Sequence, residues 1–256
     1  MAHVWDPDRY LWYAGERGRP FVELLARVEP KHPDAIVDLG CGPGNLTALL
    51  AQRWPEARVV GIDSSPQMIE RARADHGRQA SFSVDDLREW TPDEPVDVLV
   101  SNATLQWVPR HLRVLPRLVA TVAPGGWFAF SVPGNFTEPS HTVRRDLAVE
   151  APYAAYTATV VAPDAHGPYT YFQALTRLDC EVDAWETTYL HVLRGPDPVF
   201  EWISGTAAGP TLQALPEPLR ASFTEELKRR LRQAYPPGPH GTVLPFRRVF
   251  VVARRA

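Results

Sequence analysis

The chain has 256 residues, 45% hydrophobic and 22% charged, and a formal net charge of -3 at pH 7. That composition excludes a disordered chain, and the slight acidity removes the electrostatic reason for a nucleic acid partner. No apolar run approaches the ~20 residues that cross a bilayer, and Met1-Ala2-His3-Val4-Trp5-Asp6 lacks a basic region followed by an apolar core, so a cytoplasmic setting without membrane contact is expected.

This length suits one α/β sheet with a local insertion. Residues 1–30 read as a helical cover of two short helices, Asp8 to Tyr13 and Pro20 to Val28, the second with Phe21, Leu24, Leu25 and Val28 at helical spacing. Over 31–133, short apolar strands alternate with helical stretches such as Gln67 to Ala74 and Leu112 to Val122. That pattern predicts a doubly wound, mostly parallel sheet with helices on both faces.

Val37-Asp38-Leu39-Gly40-Cys41-Gly42-Pro43-Gly44-Asn45 joins the first of these strands to a glycine turn and a helix start. Glycines at 40, 42 and 44 leave no Cβ over the turn, so a ligand can lie against bare backbone. A dinucleotide turn runs G-x-G-x-x-G and seats pyrophosphate on the helix N-terminus. Here the spacing is G-x-G-x-G behind the carboxylate of Asp38, which suits an ammonium group rather than a phosphate. S-adenosylmethionine has an amino acid end, a sulfonium, a ribose and an adenine, and no phosphate.

The next strand ends at Asp63, nineteen positions beyond Gly44, near the ~20-residue offset at which a strand-end acid holds ribose hydroxyls. Phe82-Ser83-Val84-Asp85-Asp86-Leu87 offers a carboxylate for an adenine amino group, with Asp86 preferred to Asp85 and Leu87 beside it. Asp97 to Asn102 reads as a further strand, followed by Ala103 to Val108.

After Gly134 the alternation gives way to a stretch rich in Pro, Tyr, Ala and His that runs to about Asp164, read as a lid. Trp185 to Leu193 returns as a strand, Asp197 to Ser204 and Glu217 to Ala234 read as helices, and Arg248 to Ala253 closes as the last strand. Residues 134–256 thus hold the lid insertion, substrate-side helices and closing strands of the same sheet. The chain's 26 prolines are many for its length, and those in this half predict irregular connections here. Cys41 and Cys180 have no metal-ligand spacing and read as buried free thiols, with no metal expected.

The glycine turn, Asp63, Asp86 and the segment Asp97 to Val108 resemble, in this order, the class I S-adenosylmethionine-dependent methyltransferases. The resemblance implies a Rossmann-like fold and cofactor contacts at Asp38, Gly40, Gly42, Gly44, Asp63, Asp86, Leu87 and Asn102. Within that class the chain resembles the trans-aconitate methyltransferase family. Trp5 to Leu11, Arg17-Gly18-Arg19-Pro20, Gly61 to Ile69, Asn102 to Val108, Cys180 to His191 and Pro245 to Ala253 carry the likeness, which covers almost the whole chain.

Family resemblance implies transfer of a methyl group to a carboxylate of trans-aconitate, with Arg19, Gln106, Trp107, Tyr189, His191 and Arg248 facing the acid. Arg17, Arg194 and Arg247 are second choices. One departure stands out: members carry Thr-Gly-Leu-Arg-Pro where this chain has Thr206-Ala207-Ala208-Gly209-Pro210, so a family arginine is replaced by Gly209. A carboxylate acceptor is already ionised at neutral pH and needs no catalytic base.

Read without the resemblance, several of these residues have ordinary roles. Arg247 and Arg248 are consecutive in a strand and point to opposite faces, each by default a solvated charge. Trp107, Trp185 and Trp202 are core aromatics by default, and His191 an interior histidine. A monomer is expected. Three alternatives stay open: another small polyacid or secondary metabolite as acceptor, nicotinamide-dependent oxidoreduction, and a cofactor-binding module without turnover. The glycine spacing and Asp38 speak against the nicotinamide reading.

Overall fold

Apolar runs of four to seven residues, too short for helices and rich in Val, Ile and Phe, make the first four strands of the sheet. The computed structural model describes residues 14–256; the helix read over Asp8 to Tyr13 and the segment Trp5 to Leu11 lie outside them. In chain order the strands are β1 (Ala35–Leu39), β2 (Arg58–Asp63), β3 (Ser81–Val84), β4 (Val96–Asn102), β5 (Val122–Pro133), β6 (Cys180–Leu193) and β7 (Thr242–Arg255). They form one seven-stranded sheet in the order β3-β2-β1-β4-β5-β7-β6. The first four pairings are parallel and β7 runs antiparallel to β5.

Because strand order reverses between β1 and β4, right-handed crossovers leave the sheet in opposite directions and place helices on both faces. The α/β doubly wound expectation therefore holds. Functional residues of such sheets gather at the carboxyl ends of the strands, and β1, β2 and β4 end at Leu39, Asp63 and Asn102.

The described residues divide into two compact units. One comprises 14–133, 165–187 and 248–256 and contains the parallel part of the sheet. Its core joins Val37, Leu39, Ile62, Leu99, Phe128, Phe130, Tyr171 and Val251. The other comprises Gly134–Asp164 and Thr188–Arg247 and buries Trp202, Phe223, Leu227, Leu231 and Leu244. In its helix Glu217–Ala234 the buried positions 223, 227 and 231 recur every four residues, the spacing of a single apolar stripe.

Several element boundaries differ from the sequence reading. The second N-terminal helix spans Ala14–Leu25 with Pro20 inside it, so the proline removes one backbone donor without ending the helix. Leu112 to Val122 splits into a short 3-10 turn at His111–Arg113, the helix Leu115–Ala120 and the start of β5. Residues 134–164 contain the helices Pro139–Ala148 and Ala154–Thr157, and Pro168–Thr176 and Gly209–Ala214 are further helices. β6 and β7 begin earlier than read, at Cys180 and Thr242.

Proline accounts for much of this. Among the described residues, seven helices carry it in the first or second position, including those that open at Pro139, Pro168, Pro198 and Gly209. There the missing N–H costs nothing and the fixed φ favours the first turn, so these prolines, read as loop punctuation, are helix starts. No helix among the described residues is long and apolar enough to cross a membrane.

Candidate functional site

The glycine turn lies directly after β1, and its three glycines serve different ends. All three have positive φ, at 76°, 56° and 80° for Gly40, Gly42 and Gly44. A Cβ on Gly40 would lie 2.1 Å from the Thr104 hydroxyl, and one on Gly44 would lie 2.9 Å from Ala72 and the Phe82 ring. A Cβ on Gly42 would meet nothing within 4 Å. Gly40 and Gly44 are therefore demanded by the protein's own packing, and only Gly42 presents bare backbone to open space.

Asp38 is 2% exposed and accepts a hydrogen bond from Thr47 Oγ1 at 2.7 Å. Burial pushes its pKa up to about 7, with nearby Asp63 adding to the rise and Thr47 opposing it. The helix Asn45–Arg53 begins behind Gly44 with no side-chain cap, so its first N–H groups have no such partner. A buried acid beside an uncapped helix start suits a zwitterionic amino acid end, ammonium at the carboxylate and carboxylate at the N–H groups.

Asp63 closes the turn from the end of β2. Its Oδ2 accepts from Gly42 N–H at 3.0 Å and its Oδ1 from Ser65 N–H at 2.8 Å, while burial raises its pKa. Ser65 in turn caps the helix Pro66–His76 through Met68 N–H. Beneath the turn, Cys41, Ile69, Ala72 and Phe82 form a small apolar cluster. Cys41 is a buried free thiol, as is Cys180, and burial followed by Asp38 and Asp63 pushes the Cys41 pKa far up, which keeps it unreactive.

Asp86 follows β3, but its carboxylate is already engaged: Arg88 Nε lies 2.9 Å from both oxygens. This pair, first through its hydrogen bond, lowers the Asp86 pKa. Leu87 is buried and its carbonyl accepts from Arg117. At the end of β4, Asn102 is 6% exposed; its Oδ1 accepts from Ser131 Oγ at 2.6 Å, and its Nδ2 has no partner among the described residues. Ala103 follows at φ 56°, a left-handed conformation costly for a residue with a Cβ. Gln106 is buried with Nε2 on Ala103 O at 2.5 Å and Oε1 without a partner among the described residues.

The other acceptor candidates fall in different places. Arg19 lies on an exposed helix face and pairs with Glu23 at 2.8 Å; the structure does not bring it into a buried setting. Trp107 is half-buried beside Gln106. Tyr189, His191, Trp202 and Phe246 share the second unit, where the His191 ring stacks on Tyr189 and lies 4.6 Å from Trp202 and 5.9 Å from Phe246. Arg248 is only 5% exposed, opposite Pro133 in the β5–β7 register, so the solvated-charge default is wrong for it. Arg247 instead donates to the Gly134 carbonyl.

Sequence reasoning missed Thr47, Thr104, Ser131 and Arg88, the partners that hold Asp38, Gly40, Asn102 and Asp86. Thr47 carried a usable signal, since it sits in the first turn of the helix that follows the glycines. Arg88 lies two residues from Asp86, close enough for an ion pair to have been foreseen.

Comparison with known proteins adds the following. A methyltransferase domain model matches residues 36–126. The chain is 50% identical to a trans-aconitate 2-methyltransferase of Streptomyces avermitilis, over 98% of this chain and 97% of that one. Enzymes of the same description from Rhodococcus jostii and Mycobacterium tuberculosis are 50% and 46% identical over 98% of this chain and 99% and 96% of theirs. Among solved structures, the YcgJ protein of Bacillus subtilis superimposes with a TM-score of 0.61 at 11% identity, covering 93% of this chain and 98% of that one. Phosphoethanolamine N-methyltransferase 2 of Haemonchus contortus, in complex with S-adenosyl-L-methionine, gives 0.59 at 14% identity, covering 98% of this chain and 57% of that one.

Proposed function

The chain belongs to the trans-aconitate 2-methyltransferase family, and on that premise we propose that it transfers a methyl group from S-adenosylmethionine to a carboxylate of trans-aconitate, releasing the monomethyl ester and S-adenosylhomocysteine. The 46–50% identity with three such enzymes over 98% of this chain carries this reading. The nicotinamide alternative falls with the family.

The residues at the carboxyl ends of the strands fit the cofactor. Gly42 leaves open space over the turn, Asp38 is a buried acid, and the Asn102 amide keeps a buried donor without a partner among the described residues. When bound, S-adenosylmethionine supplies an electrophilic methyl group on a sulfonium. Asp38 takes the ammonium end, Gly42 lies against the ligand, and Asp63 faces the ribose while locking the turn. Asp86 and Leu87 take the adenine edge, Asp86 sharing its carboxylate with Arg88.

The acceptor arrives ionised, so no residue of this chain has to remove a proton before transfer. The work left to the protein is orientation, which can contribute ~7–11 kcal/mol, and exclusion of water while opposite charges neutralise each other. Gln106, Trp107 and Arg248, which belong to one unit, are the groups we assign to the acceptor. Arg248→Gln should raise KM for the acid about tenfold or more, the scale of one charge-assisted hydrogen bond, and leave cofactor affinity unchanged. Equal losses in both would mark Arg248 as merely structural.

The function itself is tested by incubating the protein with labelled cofactor and trans-aconitate, cis-aconitate, isocitrate or citrate and counting base-labile methyl ester. Fastest turnover on trans-aconitate is the expected outcome. Cofactor binding with no ester from any acid would sink the proposal.

A further inference from the structure

Five buried polar side-chain atoms without a partner among the described residues lie within ten residues of each other in the second unit: Asn135 Nδ2 and Oδ1, Ser140 Oγ, His141 Nδ1 and Arg144 Nε. Native proteins leave few such atoms, because each is stripped of water with nothing in return. Positions 140, 141 and 144 are three and four apart on the helix Pro139–Ala148 and so share one face.

Arg144 is the centre of this group. It is 4% exposed, and its one hydrogen bond among the described residues runs from Nη1 to Thr211 Oγ1 at 2.8 Å. Burial, then the like charge of Arg145, lowers its pKa to about 10 with no carboxylate acting on it, so it stays charged at neutral pH. A buried guanidinium without an acid is unfavourable unless a ligand supplies the anion. Neighbouring His141 is held neutral, its pKa pushed down to about 3 by burial and by the two arginines; it adds no competing charge.

We propose that Arg144, with Ser140 and His141 beside it, forms an anion subsite within this unit that takes a carboxylate of the polyacid. Nη1 is taken by Thr211, which leaves the Nε–Nη2 edge for a bidentate carboxylate, the geometry for which guanidinium is suited. Thr211 stands two residues after Gly209, in the helix Gly209–Ala214. The identity of the occupant rests on the function proposed above; the presence of an anion subsite does not.

The test compares the full chain with Arg144→Met and Arg144→Lys, titrating trans-aconitate, isocitrate, citrate and the monoacid crotonate by calorimetry in the presence of S-adenosylhomocysteine. Arg144→Met should weaken trans-aconitate binding at least about tenfold, leave S-adenosylhomocysteine affinity unchanged, and keep or raise the melting temperature of the ligand-free protein. Arg144→Lys should recover part of the loss, and crotonate should respond to neither substitution. Trans-aconitate binding indifferent to Arg144, or a loss of acid and S-adenosylhomocysteine binding together with a lowered melting temperature, overturns the subsite. If wild type ignores trans-aconitate but binds isocitrate or citrate through Arg144, the subsite stands and the assigned acceptor falls. Failure to bind any polyacid overturns both.

Discussion

Gly40→Ala should cost the protein about 2–5 kcal/mol of stability, the sum of left-handed strain on a residue with a Cβ and an overpacked interior. The new methyl carbon would lie 2.1, 2.2 and 2.6 Å from Thr104 Oγ1, Cγ2 and Cβ, so the whole β-branched side chain must move. Thr104 in turn donates to a main-chain oxygen, that of Gly40 or of Asn102, at 3.3 Å. For a chain of this size the loss corresponds to a fall of roughly 5–15 °C in melting temperature. Gly42→Ala, with nothing within 4 Å of its Cβ, should cost only about 1–2 kcal/mol of backbone strain yet weaken cofactor binding about tenfold or more. Calorimetric melting and cofactor titration of both variants read the difference. Undiminished affinity in Gly42→Ala would show that the space above Gly42 is not where the cofactor lies.

Asp38→Asn should separate stability from binding in a pH-dependent way. In the ligand-free fold the Asp38 pKa is raised from 3.8 to about 7, first by burial. A folded value above the unfolded one means that ionisation opposes folding. The penalty is absent below about pH 4, grows between pH 4 and 7, and is complete above pH 7. The asparagine variant should therefore melt higher than wild type at pH 8, with the gain vanishing towards pH 4. Cofactor binding should show the opposite trend. Wild-type affinity should climb between pH 5 and 7 as Asp38 ionises to meet the ammonium group, whereas the variant should bind about tenfold or more weakly at pH 7 with a flat profile. The same slope in both proteins would remove Asp38 from the ammonium contact.

The signals for the residues assigned to the cofactor are short in sequence. The glycine spacing, the preceding acid and the acids after β2 and β3 all fall within Asp38 to Asp86, at the carboxyl ends that a parallel sheet brings side by side. Acceptor residues were less legible. Alternation placed Arg247 and Arg248 on opposite faces but could not say which one is buried; that follows from Arg248 lying opposite Pro133 in the register with β5. Arg144 fell in a stretch read as a lid from its Pro, Tyr, Ala and His content, whereas Pro139 is the first residue of a helix there.

What the sequence by itself determined is the local chemistry: a glycine turn that only a cofactor without phosphate suits, acids at fixed offsets behind it, and the alternation that builds a doubly wound sheet. What only the tertiary structure decided is which polar groups are dry and who satisfies them. Gly40 and Gly44 proved to be packing requirements set by Thr104 and Phe82, Asp38 depends on Thr47, and Arg144 meets Thr211 across 67 positions of chain. The reason is physical: backbone conformation is set by a residue and its neighbours in sequence, whereas desolvation is set by neighbours in space, which the chain brings together only when it folds.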